Sequence, residues 1–359
     1  MKVSCVVYKT ESCTFSMQKA FKAAQTIESC GYETNELRIV YSDVLGNVLK
    51  EEKGKSDVVF LLTGKRCFDA VKPLIQSIYK TESYKTEEFI VFTEQSKTLC
   101  LCSATNVDVI QTDVAAYLQQ KTSTRTGKLV VRSLGASLAR VESLIAESKR
   151  RDGGRMRYRH RREYDEDVIE IFYGEDAPKM LIDDVLRLFA EGLADTVYAL
   201  DDTPLAKQLV ELLKIRGKKL SVAESFTGGG IAKKIVEISG ASAVYFEGLN
   251  TYNELSKIRR LGVSEYTLHT YGAVSDQTAY EMAAGLIGEG TCDISIATTG
   301  LAGPKSDRSQ LPVGLCYIAV GTKERVFVYR YKFDGEREEI TQKAIHYALF
   351  LAYKQLKNM

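Results

Sequence analysis

The stretch "KLSVAESFTGGGIAKKIVEISG", residues 219–240, decides how the rest of the chain is read. Residues 219–224 predict a buried strand, and 229–238 predict an amphipathic helix that follows with almost no connecting loop. Between them lie Ser225, Thr227 and the glycines Gly228, Gly229 and Gly230. A helix that starts directly off a strand leaves backbone N–H groups without partners, so the turn is suited to an anion. Glycine lets the backbone come close to a ligand, and the two hydroxyls can add hydrogen bonds. A glycine turn that only reverses the chain would leave the same pattern.

Working outward, "DDTPLAKQLVELLKIRG" opens a helix with Thr203 at the N-cap, Pro204 at the first helical position and Gly217 just past the end. Strands are expected at 244–252, 292–299, 313–321 and 325–333. Helices are expected at 253–261, at 275–288 and from about 336. This is a mixed α/β unit with a late hairpin. Upstream, residues 128–200 read as an α+β module with strands "KLVVRSL" and "DVIEIFYG" and helices "SLARVESLIAES" and "APKMLIDDVLRLFAEGL". Residues 1 to about 120 alternate strand and helix, including one helical run over "CFDAVKPLIQSIYK", and so predict a small parallel α/β layer. A polar linker, "QQKTSTRTG", separates the two. The expected fold is α/β and multidomain, divided into 1–124, 125–200 and 201–359.

Composition limits the function classes. The chain has 359 residues, 45% of them hydrophobic, and a formal charge of +2, so no whole-chain field points to nucleic acid or membrane. The eight cysteines form no CxxC pair, which argues against a zinc knuckle or a disulfide framework and for reduced thiols in a cytoplasmic protein. No apolar run is long enough to span a bilayer.

Further motifs occur in order: "GASAVYFEGLNTYNELSK" from Gly240, "YGAVSDQTAYEMAAG" from Tyr271, "ATTGLAGP" from Ala297 and "LPVGLCYIA" from Leu311. Together with the glycine turn they resemble the C-terminal domain of the competence/damage-inducible CinA family, over residues 203–357. That domain acts as a nicotinamide mononucleotide deamidase. "KLVVRSLGASLARVESLI" and "DTVYALDDT" look like the family's middle module, and the first 120 residues match its molybdopterin-binding-like N-terminal domain loosely.

The resemblance implies hydrolysis of a carboxamide to a carboxylate and ammonia, with a pyridine nucleotide as substrate, no cofactor for deamidation and no metal. It implies Ser242 as nucleophile, Lys257 as its base and Tyr252 as a hydrogen-bonding or proton-relaying partner. Ser225, Thr227, Gly228 and Gly229 would anchor phosphate, with Arg337 in "DGER" a second anchor. Thr299 and Gly300 would face the carboxamide or the developing oxyanion. Plainer roles exist for each: Lys257 beside Arg259 and Arg260 on a solvated basic face, Ser242 as a cap, Thr299 as a strand end.

The sequence also departs from the family. Phe226 stands where the family usually has cysteine, "YNELSK" replaces "YSNEAK", "GLAGPKSDRSQ" replaces a glycine-rich loop, and Leu311 replaces a lysine. These changes bear on substrate specificity more than on the catalytic group. The N-terminal unit carries "KTESCTFSMQ" and "LTGKRCFDA" where the family has glycine-rich phosphate loops, and so reads as a degenerate scaffold. The alternatives to an amidohydrolase are a non-catalytic nucleotide-binding scaffold or an ADP-ribose pyrophosphatase acting through the N-terminal domain. The run "KRRDGGRMRYRHRREYDED" would place Arg155, Arg157, Arg159 and Arg161 on one face of a strand, where Glu163, Asp165, Glu166 and Asp167 could neutralise them. Nucleic acid is not the expected partner, because aromatic residues are sparse there. A homo-oligomer, most simply a dimer, is expected.

Overall fold

The computed structural model describes residues 2–10, 16–29, 34–103, 112–114, 117, 127–174, 176–304 and 311–359. The expected linker at 119–127, apart from Gly127, and residues 305–310 of the altered loop at 300–310 lie outside the described residues. The chain forms two compact units, Met1–Arg125 and Thr126–Met359.

In the first unit, β1 (Val3–Lys9), α1 (Met17–Ser29), β2 (Thr34–Tyr41), α2 (Leu45–Lys55), β3 (Val58–Thr63), α3 (Lys65–Phe68), α4 (Lys72–Ile78), β4 (Thr81–Lys85), β5 (Phe89–Glu94) and β6 (Lys97–Ser103) follow in order. The sheet order is β2-β1-β3-β6-β5-β4. Strands β2, β1, β3 and β6 are parallel as expected, and β5 and β4 extend the sheet antiparallel. Successive strand residues face opposite sides. Val7, Phe60 and Leu62 therefore pack with α1, while Val6, Val59 and Leu61 pack with Leu49 and Ile75 on the other side. The single helix expected over 67–80 is two helices. Pro73 has no N–H to donate and sits at the start of the second, where that loss is harmless.

The second unit begins with β7 (Gly127–Leu134), α5 (Leu138–Asp152), β8 (Met156–Glu163), β9 (Glu166–Tyr173), α6 (Lys179–Gly192) and β10 (Val197–Ala199). Its sheet order, β10-β7-β9-β8 with every pair antiparallel, is that of a ferredoxin-like βαββαβ module. The basic run is its edge strand β8. Arg157 lies 5.1 Å over the Phe172 ring, and Arg159 and Arg161 reach the buried Glu170 at 3.5 and 4.0 Å. Among the described residues, Glu170 rather than the expected acidic cluster pairs with Arg159 and Arg161 on this face. Asp167 instead holds His160 and Arg162, which point to the opposite face. Arginines along an unpaired edge also discourage strand addition.

The remaining elements are α7 (Leu205–Arg216), β11 (Leu220–Glu224), α8 (Gly230–Val236), β12 (Tyr245–Asn250), α9 (Glu254–Leu261), α10 (Glu265–Tyr271), α11 (Asp276–Gly288), β13 (Ile294–Gly300), β14 (Leu315–Thr322), β15 (Val326–Lys332) and α12 (Arg337–Asn358). Pro204, not Thr203, occupies the N-cap of α7, its carbonyl accepting the Gln208 N–H at 3.0 Å. The sheet order is β12-β11-β13-β14-β15, with β12, β11 and β13 parallel and the last two antiparallel. Helices cover both faces. Val222, Ile296 and Ile318 pack with α7 and α12, whereas Ala223, Ala297 and Ala319 pack with α11.

The boundary expected near residue 201 does not separate two compact units. Leu134, Tyr198 and Ala199 of the βαββαβ module belong to the same apolar core as Leu209, Leu213 and Leu349. Tyr353 Oη and Lys354 Nζ on α12 also donate to Tyr198 O and Asp195 O at 3.3 and 3.1 Å. A cut at 201 would expose that shared core to water.

Candidate functional site: a buried serine–lysine pair

Strands β12, β11 and β13 are neighbours and parallel, so their carboxyl ends form one edge. The helix α8 after β11 lies on one face of the sheet and α11 before β13 on the other, which opens a crevice at the end of β11. Register sets the level of each residue there. Glu224 is opposite both Asn250 and Thr298, so Ser225, Thr251 and Thr299 follow at one level on three adjacent chains. Ser225, Thr251 and Thr299 are all buried.

Lys257 enters this edge from the first turns of α9. Asn253 Oδ1 accepts the Leu255 N–H at 2.9 Å and so fixes where α9 begins. The helix then turns Lys257 inward and leaves Arg259 and Arg260 exposed. The solvated-face reading holds for the arginines and fails for the lysine, which is 1% exposed. Its Nζ lies 3.0 Å from Ser225 Oγ, 2.6 Å from Thr251 O and 3.4 Å from Tyr252 O. Burial lowers its pKa to about 8, while Glu254 pulls weakly the other way. A neutral lysine keeps two N–H bonds and one lone pair. With the two carbonyls taking the N–H groups, the lone pair is left for the Ser225 hydroxyl.

Ser242 is not part of this pair. It is exposed and lies in a single 3-10 turn, Ala241–Ala243, that precedes β12. Because β11 and β12 are parallel, with Leu220 opposite Tyr245, that turn is at the amino edge of the sheet. The six residues of β12, at about 3.3 Å each, separate it from the edge that holds Lys257. Tyr252 is brought to Lys257 by its carbonyl, while its side chain is 64% exposed.

The glycine turn is also filled differently from its expected role. Gly228 and Gly229 have φ of 61° and 95°, which glycine adopts without strain. Their N–H groups are occupied. Gly228 N donates to Ser225 O at 3.1 Å, and the Glu224 carboxylate accepts from Gly229, Ile231 and Ala232 N at 3.0, 3.1 and 2.9 Å. The buried Glu224 is therefore the anion at this helix start. It was not singled out in the sequence, although a carboxylate closing an otherwise buried strand before a glycine turn is a usable signal. Two N–H groups remain: those of Phe226 and Thr227, directly after Ser225, have no acceptor among the described residues.

The other expected residues have defined places. Thr227 Oγ1 and Thr298 Oγ1 are 2.7 Å apart and hold the turn to β13. Thr299 Oγ1 donates to Ala273 O at 2.5 Å. Gly300 is required by packing, since a Cβ there would stand 2.5 Å from Cys316 Cβ. Arg337, exposed at the start of α12, donates from Nη1 to Gly303 O at 2.6 Å. Phe226 packs under the turn with Ala302, Cys316 and Phe333.

A three-layer α/β domain with a lysine-paired serine at its carboxyl edge is the class that this fold and site define. Residues 202–356 match the model of the CinA C-terminal domain, and the chain belongs to the CinA family through this domain. It is 40% identical over 184 residues to a putative competence-damage inducible protein of Caldicellulosiruptor saccharolyticus, a match covering 51% of this chain and 45% of that protein. It is 37% identical over 169 residues to a CinA-like protein of Kosmotoga olearia, covering 47% and 41%. The match thus spans less than half the length of those relatives. Among solved structures, the competence/damage inducible protein CihA of Agrobacterium tumefaciens is 37% identical over 43% of this chain and 93% of its own, with a TM-score of 0.41. No helix among the described residues is long and apolar enough to cross a membrane.

Proposed function

We propose that the chain is an amidohydrolase that converts the carboxamide of nicotinamide mononucleotide to the carboxylate and ammonia, with Ser225 as nucleophile and Lys257 as base. Lys257 Nζ at 3.0 Å from Ser225 Oγ carries this reading, because a serine needs an adjacent base and a lysine needs burial to become one. Ser225 Oγ attacks the carboxamide carbon as its proton passes to Nζ. The oxyanion is met by the Phe226 and Thr227 N–H groups, in the position a nucleophile-following amide takes in other acyl-transfer sites. The lysine ammonium returns the proton to the leaving nitrogen, the C–N bond breaks and ammonia departs. Water then hydrolyses the ester on Ser225, with neutral Lys257 again taking the proton. Since Glu224 occupies the helix start, the nucleotide phosphate falls to Arg337 and the loop that it holds.

The test is ammonia release by the purified full chain from nicotinamide mononucleotide, nicotinamide riboside and nicotinamide. Release from the mononucleotide that vanishes in Ser225→Ala is expected. No release from any of the three, or release undiminished in Ser225→Ala, would sink the proposal.

A further inference from the structure

Away from the serine–lysine edge, a cavity of about 310 Å³ opens where the βαββαβ module meets α8 and α12. From the hairpin between β8 and β9 come Glu163, Tyr164 and Glu166; from the helices come Lys234, Gln342 and His346. The hairpin loop has two residues, Tyr164 and Asp165, both at positive φ (50° and 64°). A two-residue hairpin turn of this type requires positive φ at both positions, and tyrosine is an uncommon occupant of it. The turn holds the Tyr164 ring edge-on to the His346 ring at 5.8 Å.

The charges around the cavity are unevenly matched. Glu166 is paired with Arg132 at 3.0 Å and accepts from Tyr198 Oη, and His346 Nδ1 stands 3.7 Å away. Burial first, with help from Lys234, keeps the pKa of His346 below its usual value, so the ring offers little positive charge at neutral pH. Lys234 and Gln342 have no side-chain hydrogen bond or ion pair to any described residue. The helical wall thus carries an unused cation and an unused amide, and the hairpin wall carries Glu163 and the Arg132-paired Glu166 beside an aromatic ring. A simple anion meets the glutamates, a simple cation meets Lys234, and an apolar molecule leaves both walls unsatisfied. A molecule with separated opposite charges satisfies both.

We propose that this cavity binds a small zwitterion, its anionic group on Lys234 and Gln342 and its cationic nitrogen toward Glu163, Glu166 and the Tyr164 ring. Both α-amino acids and pyridine nucleotides, with their pyridinium and phosphate, have this chemistry. Lys234 stands on α8, which starts at the glycine turn after Ser225, and Gln342 on α12, which starts at Arg337. A ligand bridging them ties together the two helices whose first turns border the serine–lysine edge, and so changes the KM of the reaction there. Binding stands on the cavity alone; the effect on KM rests on the proposed amidohydrolase.

Isothermal titration of the full chain tests it, using L-glutamine, L-methionine and nicotinamide mononucleotide, with acetate and methylammonium as single-charge controls. The nucleotide is titrated into the Ser225→Ala chain, to stop turnover. Expected is saturable binding of at least one zwitterion, weakened about tenfold or more in Lys234→Met and in Gln342→Leu, with the controls not binding. Which zwitterion binds identifies the source. An amino acid that binds should shift the KM for the nucleotide in the unsubstituted chain and not in Lys234→Met, whose activity without amino acid stays unchanged; a nucleotide that binds should make the rate depart from a hyperbolic dependence on its concentration, and Lys234→Met should restore the hyperbola. No binding by any zwitterion, binding untouched by both substitutions, or acetate binding equally well would overturn the proposal. Absence of ammonia release would defeat the amidohydrolase reading and leave the titration standing.

Discussion

The two edges of the C-terminal sheet each present a serine beside a glycine-containing turn, and they differ in what surrounds the hydroxyl. At the amino edge, Ser242 is exposed on a short 3-10 turn. At the carboxyl edge, Ser225 is buried beside a lysine that is 1% exposed. Near Ser242 the exposed Lys219 and Lys214 bond to the carbonyls of Ala243 and Ser239, whereas a hydroxyl held against a desolvated amine can lose its proton during attack. The parallel direction of β11 and β12 decides which serine meets Lys257, because it puts the two turns at opposite ends of the strands.

The largest expected effect tests that contrast directly. Ser225→Ala and Lys257→Met should each lower kcat for deamidation on the order of 10²–10⁴-fold, with the double variant little worse than either. Steady-state assays of the three proteins decide it, and additive losses would break the pairing. The pH profile sharpens the same point. Activity should rise with pH through an apparent pKa of about 8, following the neutral fraction of Lys257. The stability linkage has a definite sign. Between about pH 8 and the ordinary lysine value of 10.5, the unfolded chain binds a proton at this residue that the folded chain does not. Folding is therefore penalised by about 3 kcal/mol below that window and relieved of it as pH rises through the window. The difference in unfolding free energy between Lys257→Met and the unsubstituted chain should shrink correspondingly, as measured by denaturant titration at several pH values.

Glu224→Gln should have a middle-sized effect. An amide accepts through one oxygen where the carboxylate uses two, so an N–H of α8 is left unsatisfied, at a cost of about 1–3 kcal/mol in denaturant unfolding. An unchanged midpoint would mean that Glu224 does not carry the turn. Ser242→Ala should do least, leaving kcat within about twofold and stability within about 0.5 kcal/mol, as for an exposed position far from the pair. A loss comparable to Ser225→Ala would reverse the assignment of the two edges.

Most of the elements of this domain were legible because their signals are local. The strand before the glycine turn, the helix starting at its last glycine, the helix ending at Gly217 and the late hairpin all follow from caps, glycine and hydrophobic period. Helix α10, only seven residues long, was not foreseen, since so short an element shows little period. The boundary near residue 201 falls where the match to the CinA C-terminal domain begins, yet the two parts share one core. The caps around residue 204 do mark a helix start, yet a helix start says nothing about whether Leu134 and Tyr198 share a core with Leu349.

The sequence by itself determined the α/β class of the chain and the family of its last 155 or so residues, and it singled out the "ESFTGGG" turn and Lys257 as candidates. Only the tertiary structure decided which serine Lys257 touches, that Glu224 fills the helix start reserved for an anion, and that Gly300 answers to packing. The physical reason is distance along the chain. Capping and turn chemistry act between residues a few positions apart, whereas Ser225 and Lys257 are 32 positions apart and meet only through strand register and the burial of α9 against the sheet edge.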